Sequence, residues 1–212
     1  MGILLDWGRT DYRAALSRQM EIVQQVRSAV HPEALILTEH HPVYTIGARP
    51  GAATHLLLTQ DQLAKTGADF VQTNRGGDIT YHGPGQLVGY PILRLDRRHK
   101  DLHAYLRGLE TVLLKTLAHF GITGTRRQGY TGIWIDSRKI AAIGVAVKSW
   151  TTYHGFALNV DLDLDPFNHI IPCGITDGSV TSMLKEAPPA PLPGILKARL
   201  SLEFWDYFGN LP

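Results

Sequence analysis

The stretch GIWIDSRKIAAIGVAVKSWTTYHGFALNV, residues 132–160, decides the fold class. Its first piece, GIWID, is a short apolar run closed by the turn residues DSRK. In the second, KIAAIGVAVKS, Ile143, Val145 and Val147 alternate, as on a half-buried strand. The third, YHGFALNVDL, sets Phe156, Leu158 and Val160 on one side. Three such strands with short connections predict an antiparallel meander.

Outward from that meander, the spacing of Leu102, Tyr105, Leu109, Val112, Leu113, Leu117 and Phe120 predicts a helix over 101–120, ended by Gly121. An earlier helix is expected over 11–30, with Leu16, Met20, Val23 and Val26 or Val30 on one face and Thr10 or Asp11 as cap. EALILTEH and PVYTIG read as strands joined by a turn at His41-Pro42, and DFVQT and QLVGYPIL as further strands. TQDQLAKTG reads as a short capped helix. A last helix over 194–208 carries Ile195, Leu196, Leu200, Phe204 and Tyr207, after a proline-rich connector, 187–193. Strands in groups broken by a few helices argue for an α+β fold with a mixed, largely antiparallel sheet. The 212 residues are expected to form one domain, 1–212, long enough to bury about 70% of the unfolded surface.

A net charge of +2, from 21 basic and 19 acidic side chains, does not suggest a nucleic-acid binder. Two basic clusters, RLDRRHK at 94–100 and TRRQ at 125–128, are solvated loop charges or, on a sharper reading, a patch for an acidic protein. No run of 18 apolar residues, secretory signal or myristoylation motif is visible, so a cytoplasmic protein without a membrane span is expected.

Cys173 is the single cysteine, between Pro172 and Gly174 in a segment without clear period. Lone cysteines usually act as small hydrophobes. An irregular loop, however, is where nucleophiles often sit. A thiol with a pKa near about 8.5 needs a nearby cation to be thiolate at neutral pH. The candidates are His82, His154, His169 and Lys139. Lys139 starts a strand, where a lysine is ordinarily a solvated edge charge.

The segment RGGDITYHGPGQ, 75–86, interleaves glycines with Arg75, Asp78, Tyr81 and His82. It lacks both the Walker and the GxGxxG spacing, and reads as a hairpin turn or as one wall of a ligand site. Metal binding is not expected. His40 and His41 would point to opposite strand faces. Asp101 would cap the helix and leave His99 outside it, away from His103.

RGGDITYHGPGQLVGYPIL, the meander above and FNHIIPCGI together resemble the lipoyl(octanoyl) transferases, and the weaker LILTEHHPVYTIGAR agrees. The likeness runs from about residue 3 to 185. PGAATHLLL and the proline-rich tail are the least family-like parts and are expected not to bear on the chemistry. The resemblance implies a fold like the biotin and lipoate protein ligase catalytic domain. It implies octanoyl transfer from acyl carrier protein to a lysine of lipoyl domains, in 2-oxoacid dehydrogenases and the glycine cleavage H protein, without a cofactor. It places the nucleophile on Cys173 and a catalytic lysine on Lys139. It places substrate walls on Arg75, Gly76, Gly77, Asp78, Ile79, Thr80, Tyr81 and His82, on Ala142, Ile143 and Gly144, and on Gly155, Phe156 and Ala157. Lys139 would stabilise the thiolate and later take the acceptor's proton. Backbone N–H groups near Gly174 or in the glycine-rich loop would hold the oxyanion. The small residues Ala142, Gly144, Gly155 and Ala157 would leave room for the acyl chain. An ATP-dependent ligase, a silent carrier-binding module and a Cys-His hydrolase using His82 or His154 are the competing readings.

Overall fold

The computed structural model describes residues 2–98, 100–171 and 178–209. The meander forms as its alternation predicts. Strands β8 (Tyr130–Ile135), β9 (Arg138–Lys148) and β10 (Thr151–Asn159) pair antiparallel in sequence. They continue through β6 (Gln86–Ile92) to β2 (Ala34–His40) on one side and to β7 (Thr125–Arg127) on the other. Two parallel pairings make the sheet mixed: β1 (Ile3–Thr10) on β2, and β11 (Ser179–Val180) on β9.

The second strand of the His41-Pro42 pair, β3 (Val43–Ile46), leaves for a smaller sheet. There it lies between β4 (Asp69–Gln72) and β5 (Thr80–His82). The turn is therefore a crossing between sheets and not a hairpin.

Helix α1 (Tyr12–Arg27) starts at Asp11, whose carboxylate accepts from Ala14 N at 2.8 Å. Val23 and Val26 are buried as expected, and Val30 lies beyond the helix and is exposed. Thr59 and Gln62 complete a capping box on α2 (Gln60–Thr66). Helix α3 (Leu102–His119) is capped by Asp101. After a short α4 (Met183–Glu186) and the proline-rich connector comes α5 (Pro193–Phe208), which buries Leu196, Leu200, Phe204 and Phe208 while Ile195 faces out.

The large sheet is thus a central layer. On one face Leu109, Val112, Leu113 and Leu117 of α3 and Leu200, Phe204 and Phe208 of α5 pack against Leu35, Ile140, Ala141, Phe156 and Leu158. Each fully buried side chain of this size stabilises by about 1.5–3 kcal/mol. The other face is shared. Ala15, Val23 and Val26 of α1 cover Ala34, Ile36, Val88 and Ile92, while the small sheet, with Tyr44, Ile79 and Tyr81, packs on Leu162, Phe167 and Ile170. A cavity remains between these two covers. No described helix is long and apolar enough to cross a membrane.

Candidate active site

The glycine-rich loop between β4 and β5 closes this cavity, and arginine ties it down. Arg75 is almost fully buried. It donates to Thr45 O at 2.8 Å, Thr45 Oγ1 at 3.0 Å, Asp78 O at 2.7 Å and Gly76 O at 3.2 Å. Gly76 N donates to Val145 O at 2.8 Å, so the loop takes the place beside β9 that β8 has vacated. A Cβ on Gly144 would lie 2.7 Å from Gly76 O, and one on Gly155 would lie 2.1 Å from Gly89 O. Both glycines line the cavity, but the sequence-based reason given for them needs correction: they permit close backbone approach rather than vacate space for a chain.

The cavity walls include Arg75, Gly77, Asp78, Ile79, Thr80 and His82 from the loop and β5, and Ala142, Ile143, Gly144, Gly155, Phe156 and Ala157 from the meander, with Lys139. These expected residues, from three separate stretches, therefore converge. Two do not. Gly76 lies on a neighbouring groove. Tyr81 packs into the small-sheet core, 5.2 Å from the Tyr44 ring and 5.8 Å from Phe167. Cys173 lies outside the described residues, as does His99.

Sequence reasoning missed the polar floor. Tyr12 of α1 and Tyr90 of β6 line it with His82 and His154, and His40 lies behind, its Nε2 bonded to Tyr90 Oη at 2.6 Å. His82 Nδ1 meets Gln86 Oε1 at 2.7 Å, and the Gln86 amide passes the chain on to Asn159 Oδ1 at 2.9 Å. His154 Nε2 meets Asn74 Oδ1 at 3.1 Å. Burial pushes the His40 imidazole down to about 4 and those of His82 and His154 to about 3, with the Arg75 charge adding to the last two. All three are neutral at pH 7. Neither His82 nor His154 is then the cation that makes a thiolate, and both are weak bases, which counts against the Cys-His hydrolase reading. His154 also has φ +54, an unfavourable conformation within a strand. The β10–β6 register starts only at Phe156↔Gly89, and the His154 N–H turns instead to Gln19 Oε1 at 2.9 Å.

Lys139 is different. It does not stand at a solvated edge: it is 7% exposed, because β9 is paired there on both sides, with Trp134 of β8 and Val180 of β11. Its Nζ lies 5.0 Å from the Trp134 ring centroid, a cation–π contact. Gly132, at φ +127, makes this possible, since a Cβ there would meet Lys139 Cε at 3.2 Å and Ala141 O at 2.5 Å. A buried ammonium is thus held at the wall of a mostly apolar cavity.

Residues 11–204 match the family described as the lipoyl protein ligase A/B catalytic domain. The chain belongs to that family. Its relatives include an octanoyltransferase of Geobacter metallireducens, 48% identical over 181 residues covering 85% of this chain and 81% of that one. Another, from Solibacter usitatus, is 49% identical over 176 residues, 83% and 79% of the two chains. The fold is similar to that of lipoate-protein ligase A bound with ATP, with TM-score 0.82 over 98% of this chain and 85% of that one at 18% identity. It is also similar to biotin protein ligase from Aquifex aeolicus in complex with biotin and ATP, with TM-score 0.56 over 99% and 72% at 11% identity. The expected ligase-like architecture is therefore the observed one.

Against this family fold two expectations about the surroundings change. PGAATHLLL does bear on the site. His55 Nδ1 pairs with the buried Asp78 carboxylate at 2.8 Å, and Arg49 approaches the same carboxylate at 3.5 Å. His55 O accepts from Ile171 N at 2.9 Å, and Leu57 N donates to His169 O at 2.9 Å, so this loop holds the chain just before Pro172. The TRRQ cluster is not a free patch. Arg126 pairs with buried Glu110 at 2.9 Å, and Arg127 stacks 4.8 Å from Tyr130 and 5.0 Å from Trp134. Neither feature has periodicity, so the sequence offered no signal for them.

Proposed function

We propose that this protein moves an octanoyl group through a thioester on Cys173, with Lys139 as the charge that holds the thiolate. It is an acyltransferase of the octanoyltransferase kind, acting in protein lipoylation. The donor in this reading is octanoyl-acyl carrier protein. The acceptors are lysines of lipoyl domains, on 2-oxoacid dehydrogenases and the glycine cleavage H protein. The observation that carries the reading is the buried Lys139 side chain at the wall of a mostly apolar cavity, in which the other buried cation, Arg75, is engaged by the carbonyls of Thr45 and Asp78.

The chemistry balances without ATP. The Cys173 thiolate attacks the donor carbonyl; a carbon–sulfur bond forms to the enzyme and the bond to the carrier's thiol breaks. The carrier leaves as thiolate and takes up, from the Lys139 ammonium, the proton that Cys173 lost, which leaves Lys139 neutral for the next step. The acceptor amine then attacks the acyl-enzyme, Lys139 takes the proton the amine loses, and Cys173 departs as thiolate. Thioester exchange is close to energy-neutral, and the amide formed is the more stable product. Arg75, with its hydrogen bonds to Thr45 and Asp78, keeps the loop wall in place. Burying the chain favours binding by about 0.8 kcal/mol per methylene.

Intact-mass analysis after incubation with octanoyl-carrier protein, without ATP, tests this. An adduct of octanoyl mass on the wild-type chain and none on Cys173→Ser is expected. Loading only when ATP and free octanoate are supplied, indifferent to Cys173→Ser, would show a ligase instead.

A further inference from the structure

Lys139, Ile143 and Gly144 line the acyl cavity and also a second groove, on the outer side of the glycine-rich loop. The groove exists because the sheet parts there. The β8–β9 register ends at Gly132↔Ala142. Further along β9 the neighbour is no longer β8 but Gly76, bonded to Val145 O at 2.8 Å. Thr131, Gly77, Ile143 and Gly144 line the groove where this change of neighbour occurs. Leu102 and Leu106, from the first turns of α3, form an apolar side, with Tyr130 and the half-exposed Arg49 side chain at the rim.

We infer that this groove is the track of the donor's phosphopantetheine arm. The inference rests on the transfer chemistry proposed above. A thioester whose carbonyl sits at Lys139 has two arms, and the structure offers two cavities that meet at that lysine. The acyl arm is apolar and unbranched and matches the mostly apolar cavity. The leaving arm carries two amides and a branched methyl pair. Amides match the backbone edge of β8 at Thr131, where β9 no longer pairs with it, the methyl pair matches Leu102 and Leu106, and a guanidinium at the rim suits a terminal phosphate. An acceptor lysine has no amide within its four methylenes and uses none of these features.

The test compares two octanoyl donors that share the acyl chain: octanoyl-pantetheine and the short octanoyl-N-acetylcysteamine. Loading of Cys173 is followed by intact mass in wild type and in Thr131→Trp, an exposed strand-edge position where a large side chain fills the groove. The expected result is at least a tenfold fall in kcat/KM for octanoyl-pantetheine and a change within twofold for the short donor, at unaltered melting temperature. Leu102→Gln should show the same pattern more weakly. Equal effects on both donors, no effect on either, or a defect confined to transfer onto a lipoyl domain would overturn the groove assignment while leaving acyl loading intact. Failure of the wild-type chain to load from either donor would instead overturn the transfer reading, and this inference with it.

Discussion

The two faces of the large sheet are built to different rules. Against α3 and α5 the sheet presents Leu, Ile, Val and Phe, and the contact is an apolar core. On the other face it presents Ile36, Val88 and Ile92 under α1, but alanine, glycine, tyrosine and histidine around the cavity, where the contact is incomplete. Stability is concentrated on the first face. The second contains three neutral buried histidines, a strained backbone at His154 and a buried ammonium, all of which cost free energy. Costs of that kind persist where a site uses them, and here they surround one cavity.

The contrast can be broken from the stable side first. Phe204→Ala removes a fully buried ring from the α5 core and is expected to lower unfolding stability by about 3–5 kcal/mol. The acylation rate per folded molecule should stay near wild type. Chemical denaturation and single-turnover loading check the two halves of that statement separately.

Acid probes the other face. His40, His82 and His154 bind a proton less readily folded than unfolded. The unfolded chain therefore holds more protons below about pH 6.5, and stability falls as pH drops from there toward 3 to 4. At pH 5 the loss is of order 2 kcal/mol per histidine. The denaturant midpoint should drop between pH 7 and 5, and less steeply in His82→Gln, which takes one of the three groups away. A midpoint unchanged over that range would show that these rings are not neutral and buried.

The smallest effect concerns the loop over the site. His55→Ala removes one partner of the Asp78 carboxylate, which keeps Ile79 N at 2.7 Å and Arg49 at 3.5 Å, and should slow Cys173 loading severalfold, with a loss of about 0.5–1.5 kcal/mol in stability. His55→Asn keeps a donor near the position of Nδ1 and should recover most of the loading rate. Loading unaffected by either change would mean that this loop does not position the nucleophile segment.

Where local period sets the structure, the sequence was legible: the meander, α3 and α5 all follow their spacing. The expected walls from 75–82, 142–144 and 155–157 meet, apart from Gly76 and Tyr81. The polar floor was not legible because its bonds join distant residues. Tyr12 and His154, at 3.4 Å, are 142 positions apart. Lys139 reads as an edge charge until β11, a two-residue strand with almost no sequence signal, is seen to cover it. Arg126 reads as free until Glu110, sixteen positions earlier and buried on α3, is found against it. β1 was missed altogether; its parallel place at the sheet edge leaves only a weak alternation, with Leu4 partly exposed.

The central claim is that the Lys139 ammonium makes the Cys173 thiol nucleophilic. The rate of iodoacetamide alkylation of Cys173 against pH, in wild type and Lys139→Ala, measures it directly. The account predicts a wild-type reaction already fast at pH 7 and a Lys139→Ala profile displaced upward in pH, toward an ordinary thiol near about 8.5. Superimposable profiles would contradict it.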